Sequence, residues 1–156
     1  MALRKPLVLI DGNIAQLPAS DTLDASVIAI DVIQMTNGES TTTVAGQPVY
    51  ISGADTFKLG QANSLNTSKV IGLLREDITA GSAGMVQLDG ILELSDWTAV
   101  TGNSTLTPGA SYYLAPDNIG MLTETPPSAS GQYLVYIGKA ISTTAINLDI
   151  ARPIIL

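Results

Sequence analysis

Apolar and polar residues alternate with a period of two along much of this chain. Val86, Leu88, Leu92 and Leu94 fall on one face, with Gln87, Asp89 and Glu93 on the other. That pattern predicts a half-buried strand pair turning near Asp89-Gly90. Ile146, Leu148 and Ile150 alternate in the same way with Asn147 and Asp149, and Tyr133, Val135 and Ile137 form one face of a third run. Thr, Val, Ile and Tyr supply the β-branched and aromatic content that pleated surfaces favour. Turn-forming pairs punctuate these runs at short intervals: Asp11-Gly12, Asn37-Gly38, Ser52-Gly53, Asp89-Gly90, Pro108-Gly109 and Ser130-Gly131. Such spacing predicts many short strands. Tyr112 to Thr125 reads as a hairpin whose loop, Ala115 to Gly120, contains Pro116 and Gly120. Gly or Pro interrupts nearly every window long enough for an independent helix, so the only helical expectation is one or two turns around Gln61 to Ser68. The expected fold is all-β, a compact antiparallel β-sandwich or barrel, because no long helical crossovers separate the strands.

The first two dozen residues differ. Pro6 to Ile10, Asp11-Gly12 and Leu17-Pro18 precede the densely alternating part, which predicts an extended N-terminal arm over residues 1–24. Residues 25–156 form the β domain, as one body or as two small lobes divided near 96–105. Leaving the arm's apolar residues in water would cost about 25 cal/mol per Å². The arm is therefore expected to be covered, either as an extra strand on its own domain or against a neighbouring chain. Leu7, Leu9, Ile10 and Leu17 are the residues expected to touch a partner, being apolar where the globular core has not yet begun.

Composition narrows the chemistry. The 156 residues are 46% hydrophobic and 13% charged, which is too apolar and too sparsely charged for a disordered chain. The absence of Cys and His removes thiol nucleophiles, disulfides, imidazole bases and zinc or haem sites ligated by them. A formal charge of −7 repels phosphate backbones, so nucleic acid is not an expected partner. No apolar stretch reaches the roughly 20 residues of a membrane helix, since Asp31 breaks Val27 to Ile33. Met1 to Ile10 is interrupted by Asp11 before it could act as a secretory core. Synthesis in the cytoplasm, with no membrane partner, is the expectation.

Without imidazole or thiol, hydrolysis would need carboxylates, and the groupings are Asp89, Glu93 and Asp96, then Glu76 and Asp77, then Asp21 and Asp24. None has a diagnostic spacing for an acid pair. Asp117-Asn118 and Asp11-Gly12-Asn13 offer oxygen ligands but not the spaced acidic loop of a calcium site, and Asx turns explain them. Ser and Thr are abundant, yet no Ser-x-x-Lys pair occurs, and Gly81 to Gly84 lacks the ending of a phosphate loop. The chain is expected to be no enzyme and to hold no metal or cofactor. Trp97, with Tyr112, Tyr113, Tyr133 and Tyr136, could form an aromatic platform for a sugar, but a lone Trp at a strand end more commonly closes the core of a small β domain.

Lys5-Pro6-Leu7-Val8-Leu9-Ile10-Asp11-Gly12, followed by Gln16 to Leu23, resembles an N-terminal motif of tailed-bacteriophage fibre and head-decoration proteins. Ala45 to Tyr50, Val70 to Leu73, Gly84 to Gly90, Leu106 to Leu114 and Gly138 to Thr144 also resemble segments of phage virion domains. The resemblance implies a β-rich structural protein of the virion, commonly a homotrimer, with no catalytic residues. A receptor-reaching fibre adds long repetitive stretches after such an N-terminus, and 156 residues leave no room for a shaft. The expectation is a capsid decoration or cement protein on the phage head surface, bound to the major capsid protein and stabilising the assembled shell. The alternative is a head-fibre or tail-fibre adaptor that contacts other virion or fibre proteins and recognises a host glycan.

Overall fold

A computed structural model describes residues 7–10, 13–16 and 31–156. The chain divides into two units, residues 1–30 and residues 31–156. Within the first, β1 (Leu7–Ile10) pairs antiparallel with β2 (Asn13–Gln16), placing Leu7 opposite Gln16 and Ile10 opposite Asn13. Leu17 and the other residues of the expected 1–24 arm lie outside the described residues.

The regular structure of the second unit is almost wholly short strands, as the alternation predicts. A closed barrel takes β3 (Val32–Asn37), β4 (Pro48–Gly53), β5 (Thr56–Leu59), β6 (Val70–Leu74) and β7 (Ala83–Gln87) in the order β3-β5-β4-β6-β7. Its pairs are antiparallel except β3 with β5, which run parallel. A five-stranded antiparallel sheet follows, made of β8 (Gly90–Glu93), β9 (Ser111–Leu114), β10 (Leu122–Thr123), β12 (Tyr136–Ala140) and β13 (Ala145–Leu148), in the order β10-β9-β12-β13-β8. A two-stranded ladder joins β11 (Tyr133–Leu134) to β14 (Ile154–Ile155).

The expected hairpin is present, with Leu122 opposite Leu114 and Thr123 opposite Tyr113. So is the helical turn, Leu65–Ser68, begun by the Ser64 side chain accepting from the Thr67 N–H. Thr107-Pro108-Gly109-Ala110 closes with an Ala110 N–H bond to the Thr107 carbonyl at 3.0 Å, and Gly109 takes the positive φ of 83° that suits glycine. The pairing around Asp89-Gly90 differs from expectation. β7 and β8 do not pair with each other: β7 pairs with β3 and β6, and β8 pairs with β13. Here the chain passes from barrel to sheet, held by the Gln87 amide, which donates to the carbonyls of Asp89 and Ile91 at 2.9 and 3.0 Å. Alternation identifies buried faces, but it does not identify partners.

Each sheet has its own core. Met35, Val49, Phe57, Leu74, Ile78 and Val86 fill the barrel. Trp97, Tyr112, Leu114, Ile137, Ile146 and Leu148 pack on the five-stranded sheet, together with Val70 and Leu73 from β6. β6 serves both cores because its pairing with β4 shifts register between Val49 and Tyr50, so that Tyr50 faces Val70 while Val49 faces Gly72. The extra residue is Ile71, and a bulge of this kind changes which face the following side chains occupy. Val70 and Leu73 consequently belong to the sheet core, while Ile71 and Leu74 lie against the barrel core.

Candidate docking surface

The bulge places Ile71, half-buried, against the barrel core, where Ile33, Leu59 and Leu88 are also only partly covered. Ile51, at the far end of β4, is 57% exposed. Three shallow depressions meet around these residues. The first, about 480 Å³, runs from Ile33, Ile51 and Ile71 to Leu88 and Ile150, with Asp89 and Asp149 on its border. The second, about 280 Å³, shares Val70, Ile71 and Ile150 and is bordered by Lys69 and Arg152. The third, about 470 Å³, shares Ile51, Lys69 and Ile71 and reaches Tyr50 and Asn66. They share Ile71 and form one surface of mixed polarity, lined by Asp89 and Asp149 in the first depression and by Lys69 and Arg152 in the second. All four charged residues are exposed.

A surface of this chemistry can bind another protein by burying aliphatic side chains and matching charges at the border. Nothing in the alternating pattern singles it out. A local signal does exist: Val70-Ile71-Gly72-Leu73-Leu74 is apolar throughout, so both faces of this strand carry two apolar side chains where a half-buried strand would carry them on one face only.

Of the residues expected to touch a partner, Leu7, Leu9 and Ile10 lie on β1, and Leu17 lies outside the described residues. Val8, between them, is opposite Ala15 in the pair.

The aromatic residues divide. Trp97 is wholly buried, its indole N–H donating to the Thr144 carbonyl at 2.9 Å. Tyr112 is buried as well, which removes both from any sugar platform. Tyr113 and Tyr136 meet edge to face, ring centres 5.8 Å apart, and are half-buried. The Tyr112 hydroxyl donates to the Glu124 carboxylate at 2.8 Å and accepts the Thr107 N–H at 3.0 Å, and Thr107 Oγ1 donates to the same carboxylate oxygen at 2.7 Å. Burial, aided by the adjacent carboxylate, pushes the Tyr112 phenol above its ordinary value.

The carboxylates considered for catalysis accept bonds from nearby protein groups. Glu76 accepts from the Met85 N–H at 3.0 Å and Asp77 from the Ala45 N–H at 2.9 Å. Asp89 bonds the Gly90 N–H at 2.7 Å, and Glu93 accepts from Thr144 Oγ1 at 3.1 Å. Asp96 accepts both the hydroxyl and the backbone N–H of Thr98, at the start of a second helical turn, Thr98–Thr101. Those two bonds hold its carboxyl below the ordinary value. Asp21 and Asp24 lie outside the described residues.

No curated protein matches this chain. A family model does match, over residues 24–152, and its description is phage cement protein.

Proposed function

Because the chain belongs to the phage cement protein family, we propose that it binds the assembled head of a tailed bacteriophage and braces the shell. The observation that carries the reading is the extent of the match, which takes in every strand from β3 to β13. The protein acts at the capsid of the virion, its partner there is the major capsid protein, and it is made in the host cytoplasm. It works as a homotrimer and as a structural component with no catalytic step.

The architecture supports a bracing role. A closed barrel has no free edge to add strands, and a bulged strand shared between two cores ties barrel and sheet together. Stabilisation follows from mass action. A ligand that binds only the assembled lattice favours that state by RT ln(1 + [L]/Kd), about 2.7 kcal/mol at a hundredfold excess over Kd. Several linked contacts in one trimer add avidity through effective concentration.

The test uses mature heads of the cognate phage that lack the protein. Purified full-length chain should co-sediment with these heads, raise their temperature of rupture, and leave unassembled capsid subunits unbound. Failure to bind heads, or equal binding to free subunits, would overturn the proposal.

A further inference from the structure

We infer that Asn37-Gly38 is a latent deamidation site, kept as asparagine by the closed barrel and converted to aspartate or isoaspartate in a chain whose barrel opens. It is the one Asn-Gly pair in the sequence. In an unconstrained chain the Gly38 amide nitrogen, unhindered by a side chain, loses its proton and attacks the side-chain carbonyl carbon of Asn37. As that C–N bond forms, the bond to Nδ2 breaks, ammonia leaves and a cyclic imide remains. Water then opens the imide at one carbonyl or the other, giving aspartate or isoaspartate. Water is the co-reactant, and no electrons are gained or lost.

The fold occupies both reacting groups. The Gly38 N–H donates to the Phe57 carbonyl at 2.9 Å. Asn37 is 1% exposed, and its Nδ2 donates to the carbonyls of Ile78 at 2.7 Å and Thr41 at 3.0 Å while Oδ1 accepts the Glu39 N–H at 2.8 Å. Its backbone is held as well, the Asn37 N–H donating to the Ser82 carbonyl at 2.9 Å and the Asn37 carbonyl accepting the Gly81 N–H at 3.0 Å. Attack therefore requires β3 to part from β5 and from the turn before β7, which is an opening of the barrel. The labile pair is also fixed by packing. A Cβ at Gly38 would lie 2.7 Å from Thr56 Cγ2 and 2.9 Å from the Phe57 carbonyl oxygen.

Neither product fits the site. Aspartate would set an acceptor where Nδ2 now donates, leaving the buried Ile78 carbonyl facing a carboxylate oxygen without its donor. Isoaspartate routes the main chain through the side-chain carbon and lengthens it. The Thr36 N–H bond to the Asp55 carbonyl and the Gly38 N–H bond to the Phe57 carbonyl could then no longer share one register on β5. Modification thus marks a chain that has opened and hinders its return.

The test incubates the full-length protein at mildly alkaline pH, folded in buffer and unfolded in guanidinium chloride, and follows Asn37 by peptide mapping and mass spectrometry. Conversion should be slower in the folded protein by about a thousandfold or more, the factor set by the small population of open molecules. Gly72→Ala, a barrel substitution away from Asn37, should raise the folded-state rate by the same factor by which it raises the unfolded population in urea. Asn37→Asp supplies one product directly and should raise that population by roughly tenfold or more. Equal conversion in folded and unfolded protein would overturn the inference. So would a folded-state rate that did not follow the opening caused by Gly72→Ala, since Asn37 would then react without the barrel opening. An Asn37→Asp variant as stable as wild type would overturn the claim that the product hinders refolding; should that variant not fold, the two wild-type rates still decide the inference.

Discussion

Replacing Trp97 with Phe isolates what the indole does in the sheet core. Trp97 is 0% exposed and packs among Val100, Leu106, Ile146 and other buried apolar residues. Its N–H is one of two donors to the Thr144 carbonyl, the other being the Leu94 N–H at 3.0 Å. Phe removes one of these bonds without orphaning the carbonyl, so the hydrogen-bond loss should stay near the ordinary net value of about 1 kcal/mol rather than the larger cost of an unpaired buried group. The missing ring leaves a partial cavity worth roughly 1–2 kcal/mol, by comparison with about 3–5 kcal/mol for truncating a buried aromatic to Ala. The expected destabilisation is about 2–3 kcal/mol for Phe and well above 3 kcal/mol for Ala, the Phe change lowering the melting temperature by about 4–12 °C in a domain of this size. Urea unfolding followed by far-UV circular dichroism measures both, since neither variant retains tryptophan fluorescence. A Phe variant within about 0.5 kcal/mol of wild type would refute the placement of the indole. A Phe variant as unstable as the Ala one would show that the hydrogen bond, not ring burial, dominates.

Two further outcomes follow from the same packing. A Cβ at Gly72 would collide with the Gln87 carbonyl oxygen and crowd the Val86 side chain, so Gly72→Ala should destabilise by about 1–3 kcal/mol, read from the urea midpoint; a neutral result would contradict the described closeness of β6 and β7. Tyr112, whose phenol is raised above its ordinary value by burial, holds its proton in the folded state when the unfolded chain has begun to lose it. Its contribution to stability is therefore complete below the unfolded value of about 10 and falls away as pH rises through the folded one. Tyr112→Phe should cost about 1–2 kcal/mol at neutral pH and flatten the alkaline limb in unfolding curves collected from pH 8 to 11, whereas an unchanged limb would exclude Tyr112 as its source.

The alternation of Ile146 and Leu148 with Asn147 determined a strand whose apolar side is buried, because a pleated backbone sends successive side chains to opposite faces. The Pro108-Gly109 turn, the Tyr112 to Thr125 hairpin and the short helical turn before Val70 were legible for an equally local reason: each depends on backbone preferences within a few residues. The resemblance of Val70 to Leu73, Gly84 to Gly90 and Gly138 to Thr144 to phage virion segments also lay in the sequence, and the family match over residues 24–152 agrees with it.

Partnership between strands was not local. Val86 and Leu92 share an alternating run, yet the first enters the barrel and the second the sheet. A period of two states which face is apolar and is silent on which strand lies beside it. The docking surface depended on tertiary structure to the same degree. Ile51, Ile71 and Ile150 are separated by 20 and 79 positions, and only barrel closure, the bulge in β6 and the path of the chain after β13 bring them to one surface with Lys69, Arg152, Asp89 and Asp149. Side-chain chemistry is written residue by residue, whereas a surface is a property of distant residues that share a neighbourhood only after the core has formed.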